Sequence, residues 1–432
     1  MSLEKFFHLK ENNTTVKTEI MAGVTSFMTM AYILAVNPNI LAAAGMDHGA
    51  VFTATAVASF IGTLCMALFA NYPFALAPGM GLNAYFAYTV VLGMGYSWEV
   101  ALAAVLTEGI IFIILSCFNI REAIFNAIPF NLKKAVSVGI GLFITFLGLQ
   151  NAKIVIGGAT LVGLFSVDGY NKTLADGLTA SMSDAGITVL LAIFGVLITG
   201  ILIVKNVKGN ILWGILITWI LGIICQFAGI YIPNPDLGFY NLLPDFSNGI
   251  SIPSLAPIMF KFSLKGVPVL EFIVIVFAFL FVDLFDTLGT LIGVSAKADM
   301  LDSEGRLPRI KGALLADAVG TTCGACLGTS TVTTFVESAS GVTEGGRTGL
   351  TSLTTGILFL LSLFLSPIFL AIPSFATAPA LIVVGFYMIG SVSEIDFNDP
   401  AEGIPAFLCI IAMPFSTASP RESPWELSPM LS

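Results

Sequence analysis

Apolar segments long enough to cross a lipid bilayer recur along almost the whole sequence, and they constrain the fold more than any other feature. A membrane-spanning helix needs about 17–25 mainly apolar residues, because an α-helix rises about 1.5 Å per residue. Only 10% of the residues are charged, against about 25% in soluble domains. The sequence therefore predicts an all-α polytopic membrane protein with spans near residues 20–43, 51–70, 74–93, 98–119, 133–151, 187–205, 210–232, 268–294, 311–328, 331–347, 349–371, 377–393 and 402–416.

Two of these segments differ from ordinary membrane helices. The first, residues 72–83, contains two prolines, two glycines and Asn83. The second, residues 329–346, is rich in Thr and Ser and contains Glu337. Irregular backbone survives at membrane depth only where it is buried in protein or lines a cavity. We therefore predict two broken spans with short extended segments; the alternative is a pair of loops outside the membrane.

The two broken segments also match each other. The pair Gly62-Thr63 precedes the first and the pair Gly320-Thr321 precedes the second, which aligns Gly79 with Glu337. Seven spans precede the second half, and an odd number of spans inverts the second repeat relative to the first. Broken spans at corresponding positions of inverted repeats indicate a binding site near the middle of the membrane.

The span from Glu271 to Val294 carries two carboxylates, Asp283 and Asp286. An ionised Asp at the centre of a membrane helix costs about 2.5–3.5 kcal/mol on insertion scales. Residues three apart lie on one helix face, so both side chains can face one cavity. With Asn83 they predict a polar pocket suited to a planar ring with N–H and carbonyl edges. The alternative role for each acid is a hydrogen bond between helices.

Other groups extend this predicted site. We expect backbone N–H groups around Gly79, Gly81 and Ser338 to meet carbonyl groups of the ring, aided by the positive ends of the half-helices. Two further intramembrane acids, Glu108 and Asp317, are weaker candidates, and structural pairing is the favoured role for both.

The remaining composition disfavours enzymes and nucleic-acid binding. His8 and His48 are the only histidines, so neither a histidine metal site nor a histidine-based triad is expected. Residues 323–326 form a CxxC pair without a second pair, which favours tight helix packing over metal or redox chemistry. Asp283 and Asp286 are too close in sequence to face each other across a substrate, as an aspartyl enzyme requires. The sequence has no basic patch that would indicate nucleic-acid binding. A channel is an alternative to a carrier, and saturable uptake would exclude it.

Three motifs occur together: APGMGLNAYFAY at residues 77–88, FVDLFDTLGT at 281–290 and GTSTVTTFVES at 328–338. In combination they resemble the AzgA-like purine permeases of the nucleobase/ascorbate transporter family, over about residues 1–415. The resemblance implies fourteen segments in a 7+7 inverted-repeat fold. Spans 1–4 and 8–11 form a core domain and spans 5–7 and 12–14 a gate domain. On this chain the core halves correspond to residues 1–130 and 267–372, and the gate halves to 131–266 and 373–432.

The resemblance also implies proton-coupled uptake of hypoxanthine, guanine or adenine across the cytoplasmic membrane. By motif position, the substrate contacts fall on Asn83, Asp283 and Glu337, with Asp286 also important. Proton coupling is further motivated by the acids themselves, which have no intramembrane Lys or Arg nearby in the sequence. No cofactor beyond the proton is expected, and no metal. A uracil/xanthine or anion carrier on the same fold is the alternative, and a homodimer in the lipid bilayer is left open.

Two expectations concern the ends of the chain. If the N-terminus is cytoplasmic, thirteen Lys and Arg residues fall in inside segments and four in outside loops, and this asymmetry predicts that orientation. After Phe415 the sequence departs from the family pattern: residues 416–432 contain three prolines and lack membrane character. The rest of span 13 and all of span 14 are therefore expected to be missing. A shifted reading frame or a truncated gene would explain this, and a natural short tail is the alternative. Whether this chain transports is therefore left open.

Overall fold

The computed structural model describes residues 3–118, 130–157, 162–165, 181–235, 238–246, 251–297, 300–301 and 307–415. The first half of the described chain contains helices α1 (Leu3–Phe6), α2 (Val16–Met30), α3 (Ile33–Ala43), α4 (His48–Cys65), α5 (Met80–Ala84), α6 (Trp98–Cys117), α7 (Phe130–Asn151), α8 (Ile187–Val204) and α9 (Asn210–Phe227). The second half contains α10 (Val269–Lys297), α11 (Ile310–Leu327), α12 (Ser338–Thr343), α13 (Gly349–Leu361), α14 (Ser366–Leu370), α15 (Ser374–Ile389) and α16 (Pro400–Phe415).

Shorter elements join or extend these helices within the described ranges. π-helical segments are Met66–Ala70, Tyr85–Gly93 and Met182–Gly186, and 3-10 segments are Ser362–Leu365 and Gly390–Glu394. The strands are β1 (Leu76–Pro78), β2 (Val155–Gly157), β3 (Val162–Leu164) and β4 (Val332–Thr334). Strands β2 and β3 pair with each other, and β1 pairs with β4.

Nine helical segments of the described chain are long and apolar enough to cross a membrane. They are Val16–Ala43, His48–Ala70, Trp98–Cys117, Lys134–Asn151, Met182–Val204, Asn210–Phe227, Ile310–Leu327, Gly349–Leu370 and Ser374–Glu394. Helix α10 has 29 residues, which corresponds to about 44 Å, so it also has the length of a span. The prediction of an all-α, multi-pass membrane protein is confirmed.

Each predicted broken span contains a short strand that leads into a short helix. Strands β1 and β4 pair antiparallel with each other, and all their residues are buried. Two main-chain bonds flank the pair, from Gly79 N to Thr331 O at 2.9 Å and from Phe335 N to Ala75 O at 3.0 Å. The extended backbone thus finds its partners inside the protein, as membrane depth requires. This confirms the two broken spans.

The two strands are held in the same way by the helices that precede them. Thr63 Oγ1 on α4 accepts from Leu76 N at 2.9 Å and donates to Leu76 O at 3.1 Å. Thr321 Oγ1 on α11 makes the same pair of bonds with Val332, at 3.2 and 3.0 Å. The duplicated bonding, together with the antiparallel pairing, relates the two halves by a pseudo-twofold axis and confirms the inverted repeat.

The structural alignment of the repeats differs by two residues from the predicted one. The strand register makes Gly81, rather than Gly79, the counterpart of Glu337. The threonine–strand bonds join residues 13 apart in the first repeat and 11 apart in the second. An alignment of the two repeats at their Gly-Thr pairs is therefore offset by two residues at the strands. The predicted Gly79–Glu337 equivalence is wrong.

The helices pack in two groups on either side of α10. One group comprises α2, α3, α4, α6, α11 and α13, around the paired strands, and the other comprises α7, α8, α9, α15 and α16. Helix α10 contacts both α6 and α7. Small residues allow the close approaches, as in many membrane helix pairs: a Cβ on Gly141 of α7 would lie 2.7 Å from Met388 Cβ of α15.

Three expectations stay predictions. The predicted tail at residues 416–432 lies outside the described residues. The boundaries of the core and gate domains and the cytoplasmic location of the N-terminus are likewise carried forward as predictions.

Candidate functional site

A cavity of about 500 Å³ lies between the two packing groups. Its walls come from both broken spans, from α7, α10 and α15, and from the junction between α2 and α3. The lining includes Lys134 at the start of α7 and Glu394 after α15, whose Nζ and Oε2 atoms form an ion pair at 2.7 Å. The volume falls in the range of about 300–1,000 Å³ that is usual for small-molecule sites.

Two of the predicted acids line this cavity. Asp286 reaches it from α10, and its Oδ2 accepts a hydrogen bond from Thr333 Oγ1 at 3.2 Å. Glu337 reaches it from the turn before α12, and its Oε1 accepts from the Tyr32 hydroxyl at 2.7 Å. Each carboxyl is thus fixed by one neutral hydroxyl and keeps further lone pairs that can accept hydrogen bonds. The wall presents acceptors to whatever occupies the cavity.

Asp283 lies behind this wall rather than in it. Its side chain is fully buried, and Thr287 Oγ1 lies 2.8 Å from Asp283 Oδ1 and 2.8 Å from Asp317 Oδ1. A hydroxyl carries one proton and donates it to one acceptor. Both contacts are hydrogen bonds only when one of the two carboxyls is itself protonated. The arrangement can therefore hold a proton between two buried acids.

Asn83 and Ser338 are also fully buried, and they tie the two broken spans together. Asn83 Oδ1 accepts from Ser330 Oγ, while its Nδ2 donates to Pro78 O at 3.3 Å. Ser338 Oγ accepts from Ala75 N at 3.0 Å. These contacts give both residues a structural task in this conformation, and neither lines the cavity.

Glu108 plays a similar part on α6. Its Oε2 accepts from Thr331 Oγ1 at 2.8 Å, which joins α6 to the residue just before strand β4. The side chain is fully buried. The contact agrees with the structural pairing that the sequence favoured for this acid.

Gly79 and Gly81 line the cavity at the point where the first broken span turns from strand to helix. A Cβ on Gly79 would lie 2.8 Å from Thr333 Oγ1, and one on Gly81 would lie 2.7 Å from Ile140 Cγ2. Both contacts are closer than real Cβ atoms show, so any larger residue would have to displace the Thr333 or Ile140 side chain. The amide of Gly79, which the sequence assigned to a ligand, is engaged in the bond to Thr331 O.

Sequence reasoning missed the residues that complete the cavity, above all Tyr32 and Tyr387. Tyr32 lies between the end of α2 and the start of α3. Neither Gly nor Pro occurs at this break, so no local pattern predicts it. Tyr387 lines the cavity from α15. Lys134, at the start of α7, also lines the cavity.

Comparisons with known proteins agree with this architecture. A family model described as Permease family (Xan_ur_permease) matches residues 17–421. The guanine/hypoxanthine permease PbuO of Bacillus subtilis is 43% identical over 417 residues, covering 95% of this chain and 90% of PbuO. The adenine permease AdeP of Escherichia coli is 40% identical over 417 residues, covering 96% of this chain and 86% of AdeP.

Among solved structures, the transmembrane domain of the cyanobacterial bicarbonate transporter BicA superposes with a TM-score of 0.67. The match covers 93% of this chain and 95% of that domain at 16% sequence identity. At this identity the likeness concerns the fold alone, and it confirms the predicted 7+7 inverted-repeat architecture.

Proposed function

We propose that this chain, which belongs to the Permease family, takes up purine nucleobases across the cytoplasmic membrane. Its relatives PbuO and AdeP are permeases rather than enzymes. Hypoxanthine, guanine and adenine are the proposed substrates. The names of PbuO and AdeP support this choice, since both relatives span nearly the whole chain.

The observation that carries the proposal is the pair of cavity acids, Asp286 and Glu337. A purine base carries N–H groups on its edge, and carboxylate oxygens accept hydrogen bonds from such donors. Aromatic side chains share the cavity: Phe285 lies on α10 beside Asp286, and Tyr387 lies on α15 in the other packing group. A flat heterocycle gains from stacking on such rings.

The predicted contacts from Asn83 and Asp283 take a different place in this proposal. Both side chains are fully buried in this conformation. We assign them to holding the broken spans and the proton, with Asp286 and Glu337 as the direct contacts. Gly79 and Gly81 bring the backbone of the first broken span to the substrate without a side chain in between.

Transport requires that the cavity open to each side in turn. The core, residues 1–130 and 267–372, is proposed to move against the gate, residues 131–266 and 373–432, in an elevator-like manner. The position of the cavity between the two packing groups supports this division, because movement of one group relative to the other would carry the acid wall past α7 and α15.

The buried pair of acids behind the wall, Asp283 and Asp317, supports a proposal of proton coupling. The contacts of Thr287 with Asp283 and Asp317 are both hydrogen bonds only when one of the two carboxyls is protonated and donates to the Thr287 oxygen. Loss of that proton would leave a second buried charge, which is costly at membrane depth. We propose that uptake of the proton accompanies uptake of the neutral base, with the N-terminus on the cytoplasmic side.

The test is binding and uptake of radiolabelled hypoxanthine by the purified chain, in detergent and in proteoliposomes. Glu337→Gln should weaken binding by about tenfold or more, because a charge-assisted hydrogen bond is lost. The matched control is Glu344→Gln, since Glu344 pairs with Lys208 and does not line the cavity. Wild-type affinity in Glu337→Gln would show that Glu337 does not contact the substrate. Competition by uracil, xanthine or sulfate but not by hypoxanthine, guanine or adenine would instead support the alternative carrier.

A further inference from the structure

Helix α10 presents two glycines to the cavity, Gly289 and Gly293. Both lie inside a continuous helix of 29 residues, where glycine is less favourable than alanine because it has no side chain and loses more backbone freedom on folding. A glycine at such a position needs a reason that comes from outside the helix itself.

Neither backbone conformation nor helix packing supplies that reason at Gly289. Its φ angle is not positive, so the helical backbone accepts any L residue there. Within the described part of the chain, a Cβ on Gly289 would meet no atom of another segment within 4 Å. Gly79 and Gly81, which line the same cavity, differ in this respect, because packed side chains lie within 3 Å of their Cβ positions. The space in front of Gly289 is open and belongs to the cavity.

Gly289 lies near the middle of the α10 face that lines the cavity. This face extends from Val282 to Gly293 and, at about 100° per residue, its members spread over about 160° around the helix. Phe285 lies about 40° to one side of Gly289, and Asp286 lies about 60° to the other side. The Cα–Cβ bond of a helical residue tilts toward the helix N-terminus. A side chain at position 289 would therefore point into the space between Phe285 and Asp286.

We propose that Gly289 is the floor of the slot that holds the purine, and that its missing side chain leaves the room a flat base needs beside Asp286. The edge of the base meets the Asp286 carboxyl, and one face lies against the Phe285 ring. Gly289 lies about 4.5 Å beyond Asp286 along the helix axis, and Gly293 lies about 10.5 Å beyond it. The base therefore covers Gly289 and does not reach Gly293. This inference rests on the proposed function and adds to it a residue that determines which shapes the site accepts.

Gly289→Ala and Gly289→Leu test the proposal, because both add apolar bulk at the floor of the slot and both favour a helix over glycine. Hypoxanthine binding to the purified chain should weaken about fivefold with alanine and about a hundredfold with leucine, as expected when a packed site is overfilled. The melting temperature without ligand should stay the same or rise in both variants. Opposite effects on binding and stability are not expected from a residue that only packs the helix.

Two controls match these variants. Gly293→Ala makes the same change farther along the same face of α10 and should leave hypoxanthine affinity within about twofold of the wild type, since the base does not reach this position. Gly200→Leu adds the same bulk on α8, where a Cβ would also meet no atom of another described segment within 4 Å. Gly200 does not line the cavity, so affinity should not change.

The outcomes separate this inference from the proposed function. If the wild type binds hypoxanthine and Gly289→Leu binds it equally well, the inference is overturned and the function stands. The same holds if binding is lost together with a lower melting temperature, which would make Gly289 a packing residue. A loss as large in Gly293→Ala as in Gly289→Ala would also overturn it, because the base would then lie elsewhere along α10. If the wild type binds no purine, the proposed function itself fails.

Discussion

The Tyr32 hydroxyl donates a hydrogen bond of 2.7 Å to the Glu337 carboxyl, although 305 positions separate the two residues in the sequence. Tyr32 comes from the first half of the chain and Glu337 from the second. The orientation of the acid in the cavity thus depends on both halves being packed together. A phenol is a neutral donor, so it fixes the carboxyl without cancelling its charge.

Tyr32→Phe removes this donor while keeping the ring. Hypoxanthine affinity is expected to fall about tenfold, since a hydrogen bond to a charged group is lost and Glu337 becomes free to turn. Equilibrium binding of the radiolabelled base measures the change. In the control Tyr72→Phe, the lost bond goes to Pro308 O, away from the cavity. Equal affinities for the two variants would show that the Tyr32 hydroxyl does not orient Glu337 for binding.

Asp286→Asn and Thr333→Val test the other acid in graded fashion. The first variant removes the charge that we propose accepts from the base, and the second removes only the hydroxyl that holds the carboxyl. We expect a loss of about tenfold or more for Asp286→Asn and a smaller loss for Thr333→Val. Asp396→Asn, a change at an exposed acid, serves as the control. A larger loss in Thr333→Val than in Asp286→Asn would contradict the assigned roles.

How much of this site the sequence predicts depends on the geometry of a single helix. Asp283 and Asp286 are three residues apart and hence separated by about 60° around α10. Spacing places both on one face, yet that angle is enough to put one acid in the cavity and the other in the packed interior. The spans and their breaks were predictable because hydrophobic length, Pro and Gly act locally. The partners of each acid come from distant helices, and no local pattern specifies them.

The repeat shows the same limit. The matching Gly-Thr pairs predicted the inverted halves correctly, since both threonines hold the following strand. The segment between this threonine and the strand is two residues longer in the first repeat than in the second. This difference shifted the predicted alignment at Glu337. Insertions of this size leave the strand pairing intact, so only the strand register reveals them.

Gly320→Ala probes the pseudo-twofold axis itself. A Cβ at this position would lie 3.1 Å from Gly62 Cα and 3.2 Å from Val332 Cγ1. The crowding of α4, α11 and β4 is expected to cost about 1–3 kcal/mol and to lower the melting temperature. Gly200→Ala on α8 is the matched control, because within the described part of the chain no atom of another segment lies within 4 Å of its Cβ position and alanine favours a helix. Equal melting temperatures would mean that the two halves can separate slightly at no cost.

Asp317→Asn separates proton coupling from binding. Asparagine keeps a hydrogen-bonding group beside Thr287 but cannot gain or lose a carboxylic proton there. We expect that proteoliposomes with this variant still exchange labelled for unlabelled hypoxanthine, but no longer accumulate it when a pH gradient is imposed. Glu108→Gln provides the contrast: its described bond is donated by Thr331 and needs no shared proton, so gradient-driven accumulation should persist. Accumulation by Asp317→Asn at the wild-type level would place the coupling proton on another acid, and Glu337 would be the next one to test.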